Sequence, residues 1–138
     1  MATYNKFQCF VEDVHEGKHN LATNTVKLLL TNVAPTATNT IRSELVEITA
    51  GNGYTSGGLT VPVLSSSQTG GIYRLVLQDI TLTATGVIGP FRYTTVYNAT
   101  SATNPLIGWY DYGTSLTLNT GESLLFDFDG TLGLFSAT

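Results

Sequence analysis

The sequence predicts an all-β fold: an antiparallel β-sandwich or jelly-roll-like arrangement with a short N-terminal helix. Three observations carry that expectation. Phe91, Tyr93, Thr95 and Tyr97 alternate with Arg92, Thr94 and Val96, a run of aromatic and β-branched residues that fits a pleated, half-buried surface. Threonine and glycine are abundant, while Ala, Glu and Lys are concentrated nowhere after the N-terminal segment, so the bulk of the chain favours strands and turns. Roughly eight short apolar runs are separated by Gly, Asn and Asp turn signals, the spacing of sandwich strands.

From Tyr4 to His15 the apolar residues Phe7, Phe10, Val11 and Val14 fall at helical spacing, with Glu12 and Asp13 between them and Gly17 as the stop. Residues 1–20 are therefore expected to form a helical segment covering one open end of the β-core, or an arm that docks on a partner. Thr25–Thr31 places Val26, Leu28 and Leu30 on one face of a strand. Ile41, Leu45 and Ile48 suggest a short helical turn that Ser43 would cap. Gly51-Asn-Gly-Tyr-Thr-Ser-Gly-Gly58 has the glycines of a phosphate loop but neither its preceding strand nor its following helix, so a wide surface loop is expected.

Pro62 cannot donate to a ladder and marks an edge strand or a bulge, and Thr69-Gly-Gly71 is a turn. Between Ile72 and Thr85 the apolar parity switches from Tyr73, Leu75 and Leu77 to Ile80, Leu82 and Ala84. A bulge near Gln78 and Asp79, or a crossing from one sheet to another, must absorb that switch within one long bent strand. The run Gly86–Gly113 should be the central ribbon: two paired strands joined by a polar connection from Asn98 to Pro105. Leu124, Phe126 and Phe128 then share one face, Asp129-Gly130 turns, and Leu132–Phe135 is expected to close the sheet against them.

Composition bounds the function. The chain has 138 residues, which suits one domain spanning 1–138 that buries a core without disulfide or metal staples. Only 12% of residues are charged and the net charge is -4, so no basic surface is offered to phosphates and nucleic acid is not an expected partner. Cys9 is the single cysteine, so neither an intramolecular disulfide nor a multi-cysteine metal site is expected. No secretory start and no run of ~20 apolar residues is visible, so neither export by that route nor membrane insertion is expected.

Two motifs resemble catalytic signatures in their letters. His15-Glu-Gly-Lys-His19 matches the His-Glu-x-x-His of zinc proteases, which needs both imidazoles on one firm helical face; Gly17 sits inside it, and no third histidine exists, so a third ligand would be Glu44 or Glu47. Leu124-Leu-Phe-Asp-Phe-Asp-Gly-Thr-Leu132 resembles the first motif of haloacid dehalogenase-type phosphatases, in which Asp127 would be nucleophile and Asp129 acid and base. That family places the motif on a parallel α/β domain with a lysine and further magnesium-binding acids later in the chain, and only Gly130–Thr138 follows here. A turn made by Asp129-Gly130, with Asp127 pointing outward, is the expected reading. Cys9 and His15 lie six positions apart, not on one helical face, and Cys9 is expected to be a small buried apolar residue. No catalytic residue, metal or cofactor is expected.

The residues left distinctive are Gly51-Asn-Gly-Tyr-Thr-Ser-Gly-Gly58, Gly89-Pro-Phe-Arg-Tyr-Thr-Thr-Val-Tyr-Asn98, Pro105-Leu-Ile-Gly-Trp-Tyr-Asp-Tyr-Gly113 and Phe126-Asp-Phe-Asp-Gly-Thr131. In this order, with the opening Tyr4-Asn-Lys-Phe7 and Ser67-Gln-Thr-Gly-Gly71, the chain resembles small virion structural proteins of tailed bacteriophages. The resemblance implies a non-enzymatic virion component made in the host cytoplasm. The favoured role is a capsid decoration or cement protein on the outside of the head, with the major capsid protein and itself, as trimer or dimer, for partners. The alternative is a tail or fibre-tip module contacting the host surface. Candidate partner-binding anchors are aromatic: Tyr4, Phe7 and Phe10, with Trp109, Tyr110 and Tyr112. Core packing competes for each of them and is preferred for Trp109, since large aromatics are usually mostly buried.

Overall fold

A computed structural model describes residues 3–137. It is all-β and sandwich-like, with antiparallel sheets and one short helix. The ten strands are β1 (Thr3–Lys6), β2 (Val26–Thr31), β3 (Leu59–Val61), β4 (Val63–Thr69), β5 (Ile72–Leu77), β6 (Ile80–Thr83), β7 (Ile88–Asn98), β8 (Leu106–Leu118), β9 (Ser123–Phe126) and β10 (Phe135–Ala137). They form a five-stranded ladder in the order β1-β8-β7-β2-β3, a three-stranded ladder β10-β5-β4, and a ribbon β6-β9.

The central pair is β7 and β8, as the alternation of aromatic and β-branched residues predicts. The expected single face of Phe91, Tyr93, Thr95 and Tyr97 is broken, however. Phe91 belongs to the main core together with Val96, whereas Tyr97 belongs to a second, smaller core on the opposite face of the sheet. The register shift between Phe91 and Tyr93 accounts for the swap: before it an odd-numbered residue faces the main core, after it Val96 does, and normal alternation then puts Tyr97 on the other face. The main core gathers Leu28, Leu30, Leu75, Leu82, Phe91 and Phe126 from all three ladders. The second core is Phe7, Leu29, Tyr97 and Leu106, with Leu45 and Trp109 packed against it.

The N-terminal segment is only partly helical. Residues 3–6 are extended and pair with β8, and the helix α1 is limited to Cys9–His15, leaving through Gly17. Phe7 precedes the helix and is fully buried in the second core, while Val11 and Val14 stay 46% and 41% exposed, so the proposed apolar stripe reduces to Phe10. Asp13 is the helix's other buried residue, and its carboxylate takes the Lys18 ammonium at 2.9 Å. The ring of Tyr4 lies directly over Gly108, the residue paired with Lys6 on β8, where a Cβ would enter that ring. Gly108→Ala is therefore expected to push Tyr4 off the sheet at a cost of about 1 kcal/mol. Hydrogen exchange checks this: the amides of residues 3–6 should lose protection while those of β2 keep theirs.

Pro62 and the parity switch both mark crossings between ladders. Pro62 separates β3, the edge of the large sheet, from β4, the edge of the three-stranded one. Gln78 and Asp79 interrupt what was expected to be one bent strand, and β5 and β6 lie in different ladders. Asp79 holds that corner by accepting the Phe128 N–H at 2.7 Å. The C-terminal pairing differs from expectation: β9 pairs with β6, and β10 pairs with β5 rather than with β9. Between them, Asp129 accepts the N–H groups of Thr131 and Leu132, turning the chain away from β9. The Arg42–Glu44 segment is a single 3₁₀ turn; Ser43 lies inside it and caps nothing, while the Glu44 carboxylate accepts the Thr40 N–H at 2.6 Å.

The glycine loop 51–58 is more than a surface loop. Tyr54, Gly57 and Gly58 are buried, and Glu47 accepts hydrogen bonds from the Tyr54 hydroxyl at 2.9 Å and the Gly57 N–H at 2.8 Å. The Tyr54 oxygen accepts the Leu30 N–H at 3.1 Å, and the Tyr97 hydroxyl donates to the Gly57 carbonyl. Arg42 completes the knot, with its guanidinium 5.8 Å from the Tyr97 ring centroid and 3.9 Å from Glu47.

Candidate functional site

The six aromatic candidates part company in the fold. Phe7 is fully buried, its ring 4.5 Å from that of Trp109. Phe10 is 6% exposed and meets Phe135 edge-on at 5.0 Å. Both side chains are used up by packing, so they are corrected from partner anchors to core residues. Trp109 keeps part of its surface on the outer face of the large sheet, and Tyr4 leans on Tyr110 with ring centroids 5.3 Å apart. Tyr110 and Tyr112 are half-buried and line a slot of about 190 Å³.

That slot brings together two of the candidate aromatics and the two aspartates of the Leu124–Leu132 motif. Its floor is Leu28 and Thr94 from the inner face of the large sheet, with Phe126 and Phe128 from the β9 end. Tyr110 and Tyr112 form the wall, and Asp127 and Asp129 the rim. Strand periodicity produces the arrangement. Along β8 the tyrosines recur every second residue, and after Leu124 the phenylalanines turn inward while Asp127 and Asp129 turn outward.

The two aspartates differ in their surroundings. Asp129 Oδ1 accepts the N–H groups of Leu132 at 2.7 Å and Thr131 at 2.8 Å, which hold its carboxyl below the usual carboxylate range. Among the described residues Asp127 makes no side-chain hydrogen bond, and neither carboxylate has an ion-pair partner. Burial, followed by the nearby Asp129 charge, pushes the Tyr110 phenol up to about 12, and burial raises Tyr112 as well. The slot thus presents two phenols that burial holds in the protonated form, beneath the Asp127 and Asp129 side chains.

The sequence motifs resolve differently. Asp127 and Asp129 follow an antiparallel strand whose partner is β6, a context unlike the parallel-sheet position of the phosphatase motif. The helix ends at His15, whose Nδ1 is 2.7 Å from the Val11 carbonyl. His19 lies beyond it, with its ring 5.1 Å from Phe10 and its Nδ1 3.1 Å from the Asn98 amide, so the two imidazoles share no helical face. Burial lowers the His19 pKa. Among the described residues, no three His, Cys, Asp or Glu side chains come together to hold a metal ion. Cys9 is half-buried rather than fully buried; its Sγ lies 3.6 Å from the Asn39 carbonyl and 3.7 Å from that of Thr40. Burial and then the Asp13 charge push its thiol up to about 11, so it stays protonated at neutral pH.

A second surface escaped sequence reasoning altogether. The outer face of the β10-β5-β4 ladder carries Leu64, Ile72 and Val76 among serines and threonines, and among the described residues Arg74 is the only ionisable one lining its shallow trough. Of the three arginines, Arg42 faces Glu47 and Arg92 grips Asp111 through two hydrogen bonds of 2.8 and 3.2 Å. Arg74 has no carboxylate within ion-pair distance among the described residues, and its buried Nε lacks a hydrogen-bond partner there. Finding this face requires the pairing of Ser67 with Arg74 and of Thr69 with Ile72, which local periodicity alone does not supply.

No helix among the described residues is long and apolar enough to cross a membrane. No protein-family model, curated protein or solved structure matches the chain.

Proposed function

We propose that this chain is a non-enzymatic virion structural protein of a tailed bacteriophage that decorates the outside of the head and stabilises it. The observation that carries the reading is the outer face of the β10-β5-β4 ladder. Leu64 is 63% exposed there, beside Ile72, Val76 and hydroxyl side chains, with Arg74 as the single charge lining the trough. Depletion of Lys, Asp and Glu with arginine retained is one feature of the buried centre of a protein interface. A contact of ~800 Å² per partner, repeated over neighbouring capsid subunits, gains strength through effective concentration without added chemistry. The resemblance of the glycine loop, the central ribbon and the Phe126–Thr131 run to virion proteins supports the same role.

The test is to add purified protein to heads that lack it and follow both sedimentation and release of DNA on heating. The chain should pellet with the heads to a saturating copy number and raise their melting temperature. Arg74→Glu should weaken pelleting by about tenfold or more, because a buried interfacial charge of the wrong sign is expensive. Heads that melt at the same temperature with and without the protein, or antibody label confined to tails, would contradict the proposal.

A further inference from the structure

We infer that the slot between the large sheet and the β9 end receives an aliphatic-stemmed cationic side chain, lysine or arginine, from a partner protein. The inference extends the head-decoration reading by naming what the partner presents, and it stands on the slot's own geometry.

Size points to a single side chain. A volume of about 190 Å³ lies below the ~300–1,000 Å³ typical of sites for free small molecules. Chemistry points to a cation. The floor of Leu28, Phe126 and Phe128 accepts a hydrocarbon stem. Tyr110 and Tyr112 line the slot, and an aromatic ring attracts a cation that lies over its face. Asp127 and Asp129 add two negative charges at the rim with no cation facing them among the described residues. An ammonium or guanidinium group pairs with these carboxylates, which a neutral occupant does not do. A bound anion would be repelled.

The experiment uses the full chain. It is titrated with n-butylammonium and n-butylguanidinium, against 1-butanol and methyl α-glucoside as neutral controls, and followed by NMR. Both cations should give saturable shifts confined to Tyr110, Tyr112, Asp127 and Asp129, and the tighter of the two identifies the partner's residue. Asp127→Asn should weaken the cations by about fivefold, the order expected of an exposed charge pair, and leave 1-butanol unaffected. Asp127 is exposed and makes no side-chain hydrogen bond among the described residues, so this variant is expected to fold as the parent does. Asp129→Asn retains the amide oxygen that accepts the Thr131 and Leu132 N–H groups and should add to the loss. The inference is overturned if 1-butanol shifts the same resonances as strongly as the cations, if the glucoside binds more tightly than either, if no saturable shift occurs, or if Asp127→Asn leaves cation binding unchanged. A chain that takes up the cations but does not pellet with heads would sink the decoration reading alone. One that pellets and ignores the cations would sink this inference alone.

Discussion

Gly58→Ala is expected to destabilise the fold by about 3 kcal/mol or more, the range in which a single substitution usually signals a steric or backbone conflict. Gly58 has φ 94°, which L-residues with a side chain rarely adopt. A Cβ there would also run into the carbonyl oxygen of Leu28 and the Cα of Leu29. Both obstacles are backbone, so no rotamer change relieves them. They belong to β2, which is hydrogen-bonded on both sides, to β7 and to β3, so the strand cannot retreat without breaking a ladder. Gly130→Ala provides the control, since its φ is ordinary and nothing lies within 4 Å of its Cβ position. Urea unfolding should separate the two variants widely. If Gly58→Ala unfolds at the wild-type urea concentration, the glycine loop is not seated on β2 as described.

The second large effect is Glu47→Ala. The Glu47 carboxylate is the acceptor for the Tyr54 hydroxyl and for the Gly57 N–H, and the Tyr54 oxygen in turn receives the Leu30 N–H. Removing it strands two donors in a largely buried position and unties Arg42 from the knot. The loss should be about 3 kcal/mol, because an unsatisfied buried donor costs more than a hydrogen bond contributes. Glu47→Gln keeps an acceptor oxygen and should lose about half as much. Adding Tyr54→Phe to Glu47→Ala should cost less than the sum of the two single changes, since they break the same contact. Urea midpoints for the wild type and the four variants test this. Equal midpoints for Glu47→Ala and wild type would contradict it.

Much of the architecture was readable from side-chain period. The parity switch between Leu77 and Ile80 marks the place where the chain leaves one ladder for another, although the pattern itself allowed a bulge or a crossing and suggested one continuous bent strand. Pro62 marked an edge, and β3 and β4 on either side of it are both edge strands. The readings that failed share one physical cause, namely that local pattern does not encode pairing across long separations. Phe7 fits a helical stripe on spacing, yet its position is set by Trp109 and Tyr97 in the second core. The β10 strand follows β9 in sequence, yet Asp129 turns the chain so that Phe135 pairs with Leu75. At the candidate site, Tyr110 and Tyr112 stood out for their type and Asp127 and Asp129 for their motif. Their convergence on one slot depends on where β9 lies over the large sheet, which neither stretch specifies alone.

The role on the head is tested most directly by a density map of the intact particle at a resolution that separates strands. The account predicts one ten-stranded density at regular positions on the outer capsid surface, with the β10-β5-β4 face turned toward the shell. Density for this chain confined to the tail, or a copy on the head with that face turned to solvent, would contradict it.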